Sequence, residues 1–190
     1  MKNTKTYFVI RNSIKGLIWL GIFVGIYILS QKYLDTDYLK WLEPIFGNTV
    51  LILVIFLISE VVIGIIPPEL FIIWALRHNN LFEFLILVGV LSIVSYAAGT
   101  SGYFIGHYLN RSLFFRFIKI RFLKKLDQRL QAFGMYLILI AALTPLPFSG
   151  VSMLIGSVRY PFKKFILLAL TRFIRFAIYA YVFWQANLNR

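Results

Sequence analysis

The chain has 190 residues, of which 60% are hydrophobic and only 14% are charged. This composition excludes an ordinary soluble domain, in which about a quarter of the residues are charged, and it predicts an all-α polytopic integral membrane protein with roughly four to six helical segments of about 20 residues. The net charge of +13 would suggest nucleic acid as the partner of a soluble protein, but here the basic residues flank apolar stretches, which favours anionic lipid headgroups instead.

The first apolar stretch lies near the N-terminus. Residues 17–30 are apolar, the run extends to Leu34, and four basic residues precede it: Lys2, Lys5, Arg11 and Lys15. Because no small-x-small cleavage site follows, we predict a retained transmembrane helix rather than a cleaved signal. Residues 1–48 are therefore expected to form an N-terminal transmembrane helix with its loop.

The second apolar stretch is interrupted by two prolines. Residues 49–66 are apolar, the run stops at Pro67 and Pro68, and it resumes as residues 70–76, which are too few to span a bilayer. Consecutive prolines remove two backbone donors, so the helix is expected to break there. Irregular backbone at membrane depth requires surrounding protein or a water-filled cavity. We therefore predict a re-entrant helical hairpin.

A long spanning helix and a basic segment come next. Residues 81–110 are mostly apolar, and small residues recur in their second half at Ala98, Gly102 and Gly106. This spacing predicts close contact with another helix. Residues 111–129 alternate basic with aromatic and aliphatic side chains, which favours an amphipathic helix lying on the anionic inner leaflet over a solvated loop helix.

A second proline-interrupted stretch resembles the first in layout. Residues 135–143 are apolar and stop at Pro145 and Pro147, a short arm follows over 151–158, and a last span is predicted over 165–184. The order of apolar run, break, short arm and full span thus occurs twice. Such paired interrupted segments predict an inverted repeat with a transport site at the repeat interface.

Charge placement predicts the orientation of the chain. If the N-terminus is cytoplasmic, the two hairpins enter from opposite faces, and most lysines and arginines lie inside, including those of residues 111–129. This agrees with the positive-inside rule. We expect a membrane domain over 49–184, a short tail over 185–190, and termini on opposite faces.

Four ionisable residues lie within or beside the apolar segments: Glu60, Glu69, Arg172 and Arg175. An arginine left unpaired at the centre of a spanning helix costs about 2.5–3.5 kcal/mol on insertion scales. The four residues either neutralise one another or form a polar site for an ion or a headgroup, and we favour the second hypothesis. Two arginines three positions apart share a helix face and suit a phosphate. We predict that the four converge near the bilayer midplane; the alternative is that the arginines reach the inner surface.

Hydroxyl groups surround the second break. Thr144, Ser149 and Ser152 either bind a ligand or satisfy backbone groups freed by the prolines, and the sequence does not separate these two roles. His107 near the end of its helix is more typical of an interfacial residue than of a proton relay. The sequence has no cysteine, metal cluster, nucleophile–base pair or nucleotide motif, so neither a cofactor nor an enzymatic activity is predicted.

Two segments resemble the DedA family, also called the SNARE-associated or VTT-domain family. The segment from Glu60 to Glu69 resembles the first re-entrant segment of that family, with an acid and then a second acid just after a proline, although Pro68 stands where glycine is common. Residues 145–162 resemble the second, including Gly156 and a proline that opens the last helix. The resemblance covers about residues 49–184.

One difference concerns the arginines that usually flank the second break in this family. The corresponding positions here hold Ala141 or Ala142 and Phe148, and Ser149 stands where some members have an acid. Our hypothesis is that Arg172 or Arg175 supplies the missing charge. The two acids of the first segment carry over from the family directly.

The resemblance implies a protein that moves lipids across a bacterial inner membrane. Members of the family are associated with scrambling phospholipids or returning undecaprenyl phosphate. We expect a lipid flippase or scramblase whose partners are anionic phospholipid or polyprenyl phosphate, and a homo-oligomer is left open. The alternatives are a proton- or ion-coupled transporter of a small solute and a membrane scaffold that transports nothing.

Overall fold

The computed structural model describes separate parts of the chain: Ile18, Gly21, Ile22, Gly25 and residues 46–62, 66–78, 80–109, 124–144 and 146–188, without the side chains of 124–132. Ile18, Gly21, Ile22 and Gly25 have helical backbone. Most of the predicted N-terminal helix, most of the predicted amphipathic segment and Pro145 lie outside the described residues.

Every regular element in the described ranges is helical, so the all-α class is confirmed there. The α-helices are α1 (Thr49–Val61), α2 (Pro68–Ala75), α3 (Leu81–Leu109), α4 (Lys124–Leu143), α5 (Phe148–Ser157), α6 (Phe162–Ala169) and α7 (Thr171–Leu188). A 3₁₀ turn, Leu76–His78, extends α2.

Two helices are long and apolar enough to cross a membrane. α3 has 29 residues and the combined α6–α7 segment, Phe162–Leu188, has 27. At 1.5 Å per residue both measure about 40 Å, which exceeds the hydrocarbon thickness of about 30 Å. The second span starts earlier and ends later than the predicted 165–184, so residues 185–188 are helix rather than tail. Leu170 separates α6 from α7, and the Phe173 amide donates to its carbonyl, a tightened turn.

The outer faces of these two helices are apolar. Phe82 and Ile93 of α3 are 71% and 60% exposed, and Ile174 of α7 is 55% exposed. In water such faces would be contiguous apolar patches of the kind that soluble monomers avoid. These faces are compatible with lipid, because a helix surface in contact with acyl chains does not need polar side chains.

The first break begins earlier than the sequence predicts. α1 ends at Val61, well before the prolines. The Ser59 hydroxyl accepts a hydrogen bond from the Ile66 amide at 2.9 Å, so a side chain satisfies a backbone donor inside the break. Pro67 and Pro68 start the next helix instead of ending the previous one: Pro67 is the N-cap of α2 and Pro68 its first residue. A proline loses no hydrogen bond at that position, because the amide there has no intrahelical acceptor.

The second break also differs from the prediction. α4 is continuous from Lys124 to Leu143, so the end of the basic segment and the apolar run predicted from residue 135 belong to one helix. The joining sequence consists largely of good helix formers, and its single Gly134 does not interrupt them. α5 begins at Phe148, directly after its N-cap Pro147, rather than at residue 151.

A Schellman motif ends α5. The Tyr160 amide donates to the Ile155 carbonyl at 3.3 Å and the Arg159 amide donates to the Gly156 carbonyl at 3.0 Å. Arg159 adopts φ 55°, the left-handed conformation that this cap requires and that usually selects glycine. The Tyr103 hydroxyl donates to the Tyr160 carbonyl at 2.5 Å, which fixes the turn against α3.

The buried apolar side chains form two clusters. One joins α1, α2, the first half of α3 and the last part of α7; it includes Phe56, Trp74, Phe84 and Phe183. The other joins the second half of α3 with α4, α5 and α6; it includes Tyr103, Ile138, Phe148 and Phe165. Each cluster therefore contains one proline break and part of a long helix.

α3 and α5 cross with their backbones in contact. A Cβ atom placed on Gly106 would collide with the carbonyl of Met153, and one placed on Gly156 would collide with the carbonyl of Tyr103. At Gly102 the added atom would lie 2.9 Å from a backbone oxygen of α5. The close helix contact predicted from the small-residue spacing is confirmed.

We predict that Gly106→Ala destabilises the protein, because a backbone carbonyl cannot move aside as a flexible side chain can. Overpacking of this kind costs about 1–3 kcal/mol. The measurement is the thermal unfolding midpoint of the purified protein in detergent. Gly89→Ala is the matched control on the same helix, since nothing lies within 4 Å of a Cβ there, and alanine should be neutral or slightly stabilising. Equal midpoints for the two variants would contradict the close crossing.

Candidate functional site

Four charged side chains are buried where the two apolar clusters meet. Glu60 lies in the last turn of α1 and Glu69 in the first turn of α2, on either side of the first break. Arg172 and Arg175 lie in the first turns of α7. All four are 3% exposed or less. The structure thus brings together the four ionisable residues that the sequence singled out.

The first ion pair joins α1 to α7. Arg172 donates through Nη2 to both carboxylate oxygens of Glu60, at 2.7 and 2.8 Å. Its guanidinium carbon lies 4.5 Å from the ring centroid of Phe148, the first residue of α5, which is a cation–π contact. The Nε and Nη1 atoms of Arg172 have no partner among the described residues.

The second ion pair joins three elements. Arg175 donates through Nη2 to Oε1 of Glu69 and through Nη1 to the backbone carbonyl of Thr144 at 2.6 Å. Glu69 is an anion at the N-terminus of α2, and Arg175 is a cation at the C-terminal end of α4. Both positions are favoured by the helix dipoles. Arg175 therefore fastens the first break to the second.

The formal charges of the cluster cancel, because it contains two carboxylates and two guanidinium groups. Removing a charge from water is costly, and the attraction of a partner offsets this only when the geometry is good. Here each guanidinium contacts a carboxylate directly. The predicted convergence of the four residues therefore describes these arginines better than the alternative in which they reach the membrane surface.

The hydroxyl groups near the second break have different surroundings. Thr144 donates from Oγ1 to the Ile140 carbonyl at 2.6 Å, and Ser152 donates to the Phe148 carbonyl at 2.8 Å. Both hydroxyls thus donate to backbone carbonyls of their own segments. The Ser149 hydroxyl is buried without a partner in the described part of the chain, and it is the one of the three that has the capacity for a ligand.

The predicted break residues have separate structural roles. Pro67 and Pro147 are the N-caps of α2 and α5, and Pro68 opens α2. Gly156 does not lie in a break: it lies near the end of α5, where α3 leaves no room for a side chain. Pro145 lies outside the described residues.

Sequence reasoning missed three residues of the site. Ser59 closes the first break, and Phe148 supports the Arg172 guanidinium. Ser95 of α3 is fully buried with an unpartnered hydroxyl, one turn before Gly99, which contacts the Phe148 ring. A serine within an apolar helix was a signal for Ser95. For Phe148 the signal was its position, where the family usually has an arginine, and the contact with Arg172 agrees with the hypothesis that Arg172 or Arg175 supplies the missing charge.

A narrow crevice leads to the second ion pair. It is lined by Pro68, Ile72, Arg175, Phe176 and Tyr179, and it is too narrow to hold a water molecule. Within the described ranges, no group of three or more His, Cys, Asp or Glu side chains is placed to hold a metal ion.

In the described residues, the helical elements, the two candidate spans and their apolar outer faces indicate an integral membrane protein. The VTT domain model matches residues 45–185, and the chain belongs to the VTT-domain family, which is the DedA or SNARE-associated family. The resemblance identified from residues 49–184 is thereby confirmed. This is not a known enzyme family. No curated protein and no solved structure matches the chain.

The ion pair between Glu60 and Arg172 generates a stability prediction. Arg172→Leu leaves a buried carboxylate without its partner, which is expected to cost about 3–5 kcal/mol. The double variant Glu60→Leu/Arg172→Leu should recover most of this loss, because no unpaired charge remains. Unfolding midpoints in one detergent test both. Glu83→Leu, at an exposed acid of α3, is the control and should change stability by about 0.5 kcal/mol or less. Additive losses in the double variant would contradict the pairing.

Proposed function

We propose that this protein is a flippase or scramblase that moves phospholipid or polyprenyl phosphate across the bilayer. The observation that supports it is the neutral cluster of two acids and two arginines buried where two helix breaks meet. Polar groups inside a membrane protein are costly, and they commonly mark substrate pathways. Membership of a membrane family with a transport-like role agrees with this proposal.

The cluster suits the passage of a phosphate headgroup. Arginine stays charged at all relevant pH values and binds phosphate through several N–H groups. A phosphate that displaces a glutamate from an arginine keeps that cation paired throughout the exchange. The barrier to translocation is therefore lower than the cost of burying an isolated headgroup charge, while the acyl tails remain in lipid.

We propose further that α1–α2 and α4–α5 are re-entrant hairpins entering from opposite faces, as an inverted repeat. α1 has 13 residues and α5 has 10, so at 1.5 Å per residue they measure about 20 and 15 Å, less than the hydrocarbon core. Arg175 connects the two breaks directly. Opposed hairpins would thin the barrier at the point where the charges lie.

A second candidate, a proton-coupled transporter of a small solute, is favoured by one atom. Oε2 of Glu69 is buried without a partner in the described structure, and such an oxygen is able to accept a proton. Proteoliposomes separate the candidates: lipid movement without a proton gradient supports the first, and uptake that requires a gradient supports the second. Inactivity in both assays favours a scaffold.

We predict that Glu60→Ala and Glu69→Ala impair lipid movement more than they impair membrane expression. The assay is dithionite quenching of a fluorescent phospholipid in proteoliposomes containing equal amounts of folded protein. Each change removes the partner of one arginine, so that the cation binds the headgroup too tightly or misplaces it. Glu83→Ala should keep wild-type rates. Wild-type rates for both cluster variants would remove these residues from the mechanism.

We also predict that the N-terminus and residues 111–129 are cytoplasmic and that the C-terminus faces the other side, in a bacterial inner membrane. The reason is the excess of lysine and arginine on the proposed inner side. Single cysteines introduced at residues 3, 112 and 190 of this cysteine-free chain can be labelled with an impermeant maleimide. Labelling of residues 112 and 190 from the same side would contradict the topology.

A further inference from the structure

Three of the buried hydrogen-bonding atoms without partners in the described structure belong to the charge cluster itself, on Glu69 and Arg172, and a fourth belongs to Ser149, which follows the Phe148 that Arg172 contacts. Six buried side-chain atoms of the described residues lack a partner, and they belong to Glu69, Ser95, His107, Ser149 and Arg172. Arg172 accounts for two of the six. Buried polar groups are satisfied in the large majority of cases, so each exception needs an explanation, and an absent ligand is one.

The two arginines of the cluster differ in how their donors are used. Arg175 donates through both terminal nitrogens, to Glu69 and to the Thr144 carbonyl. Arg172 contacts Glu60 through Nη2 alone. A guanidinium group has five N–H donors, so the three on Nε and Nη1 remain available. Arg175 holds helices together, and Arg172 keeps the capacity to bind something else.

Arg172 contacts the first residue of α5. The guanidinium group stands over the ring of Phe148, the first residue of this ten-residue helix. No side chain caps the helix, whose first backbone amides have no intrahelical acceptors. Ser149 is its second residue, 1% exposed and with an unpartnered hydroxyl. Helix N-termini attract anions through these amides and through the dipole.

We propose that Arg172, Ser149 and the N-terminal turn of α5 form a binding subsite for a phosphate group. Phosphate supplies acceptor oxygens for the guanidinium, the hydroxyl and the amides together. Glu60 occupies only Nη2, so the ion pair persists when phosphate binds. The helix dipole compensates the added negative charge. The identification of this phosphate as part of a lipid headgroup rests on the proposed function. Free inorganic phosphate has the same chemistry and would bind through the same atoms.

Ligand-induced stabilisation of the full-length protein in detergent tests the subsite. The probes are dihexanoyl phosphatidic acid, dihexanoylglycerol and inorganic phosphate, and the readout is the unfolding midpoint by tryptophan fluorescence, which rises with ligand binding. We expect the phosphatidic acid to raise the midpoint and the glycerol lipid to leave it unchanged. Ser149→Ala and Arg172→Lys should each weaken the apparent affinity about tenfold, since each removes hydrogen bonds to a charged ligand.

Ser152→Ala is the matched control, because its hydroxyl on the same helix is already bonded to a backbone carbonyl; its affinity should equal that of the wild type. Ser149→Ala removes no hydrogen bond that the described residues make, so its unliganded midpoint should not fall, and lost affinity then reports the subsite. A rise with inorganic phosphate alone, dependent on Ser149 and Arg172, supports the subsite with free phosphate as its ligand. Equal affinities in the wild type, Ser149→Ala and Arg172→Lys would overturn it. Binding without lipid movement in liposomes would overturn the proposed function and leave the subsite standing.

Discussion

A guanidinium group buried in a membrane protein must be paired, and this constraint organises the helices described here. Arg172 and Arg175 lie on α7, and their partners come from elements far away along the chain: Glu60 at the end of α1, Glu69 at the start of α2 and the Thr144 carbonyl at the end of α4. Each partner is located at a helix end. The helix ends that border the two breaks must therefore lie next to α7. This requirement positions the short helices as much as apolar packing does.

The remainder of the fold depends on close backbone approach rather than charge. In the second half, glycines of α3 and α5 allow the two helices to touch, and Tyr103 of α3 holds the turn after α5 through the Tyr160 carbonyl. Association of helices in lipid gains little from the hydrophobic effect, so packing and hydrogen bonds between helices carry it. The close contact with α3 thus runs along α5, and Arg172 adds a cation–π contact at the first residue of that helix, Phe148.

Much of this arrangement could be predicted from the sequence, because lipid imposes strict rules. The sequence alone shows the apolar stretches, the small-residue face of α3 and the four charged residues of the cluster. Because each of these charges needs a partner inside a membrane, the sequence also predicted that the four converge. The boundaries of the breaks were not visible. Pro67 and Pro147 appear as helix breakers, yet they are N-caps, and α1 ends earlier because Ser59 offers the backbone another hydrogen bond. Such side-chain to backbone bonds depend on local geometry that residue spacing does not encode.

Under the proposed function, the pairing that stabilises the charge cluster also opposes its opening, and the difference between the two arginines would reduce this conflict. Arg175 joins α2, α4 and α7, so separating these helices requires the loss of two hydrogen bonds to a charged group, each worth about 1.5–3 kcal/mol. A phosphate held first by the free donors of Arg172 would lie beside this connection while Glu60 remained in place. Its charge would then be available to replace the Glu69 carboxylate on Arg175 as α2 moved. In this order the ligand supplies a new partner before the old one is lost, so neither cation is left unpaired in the membrane.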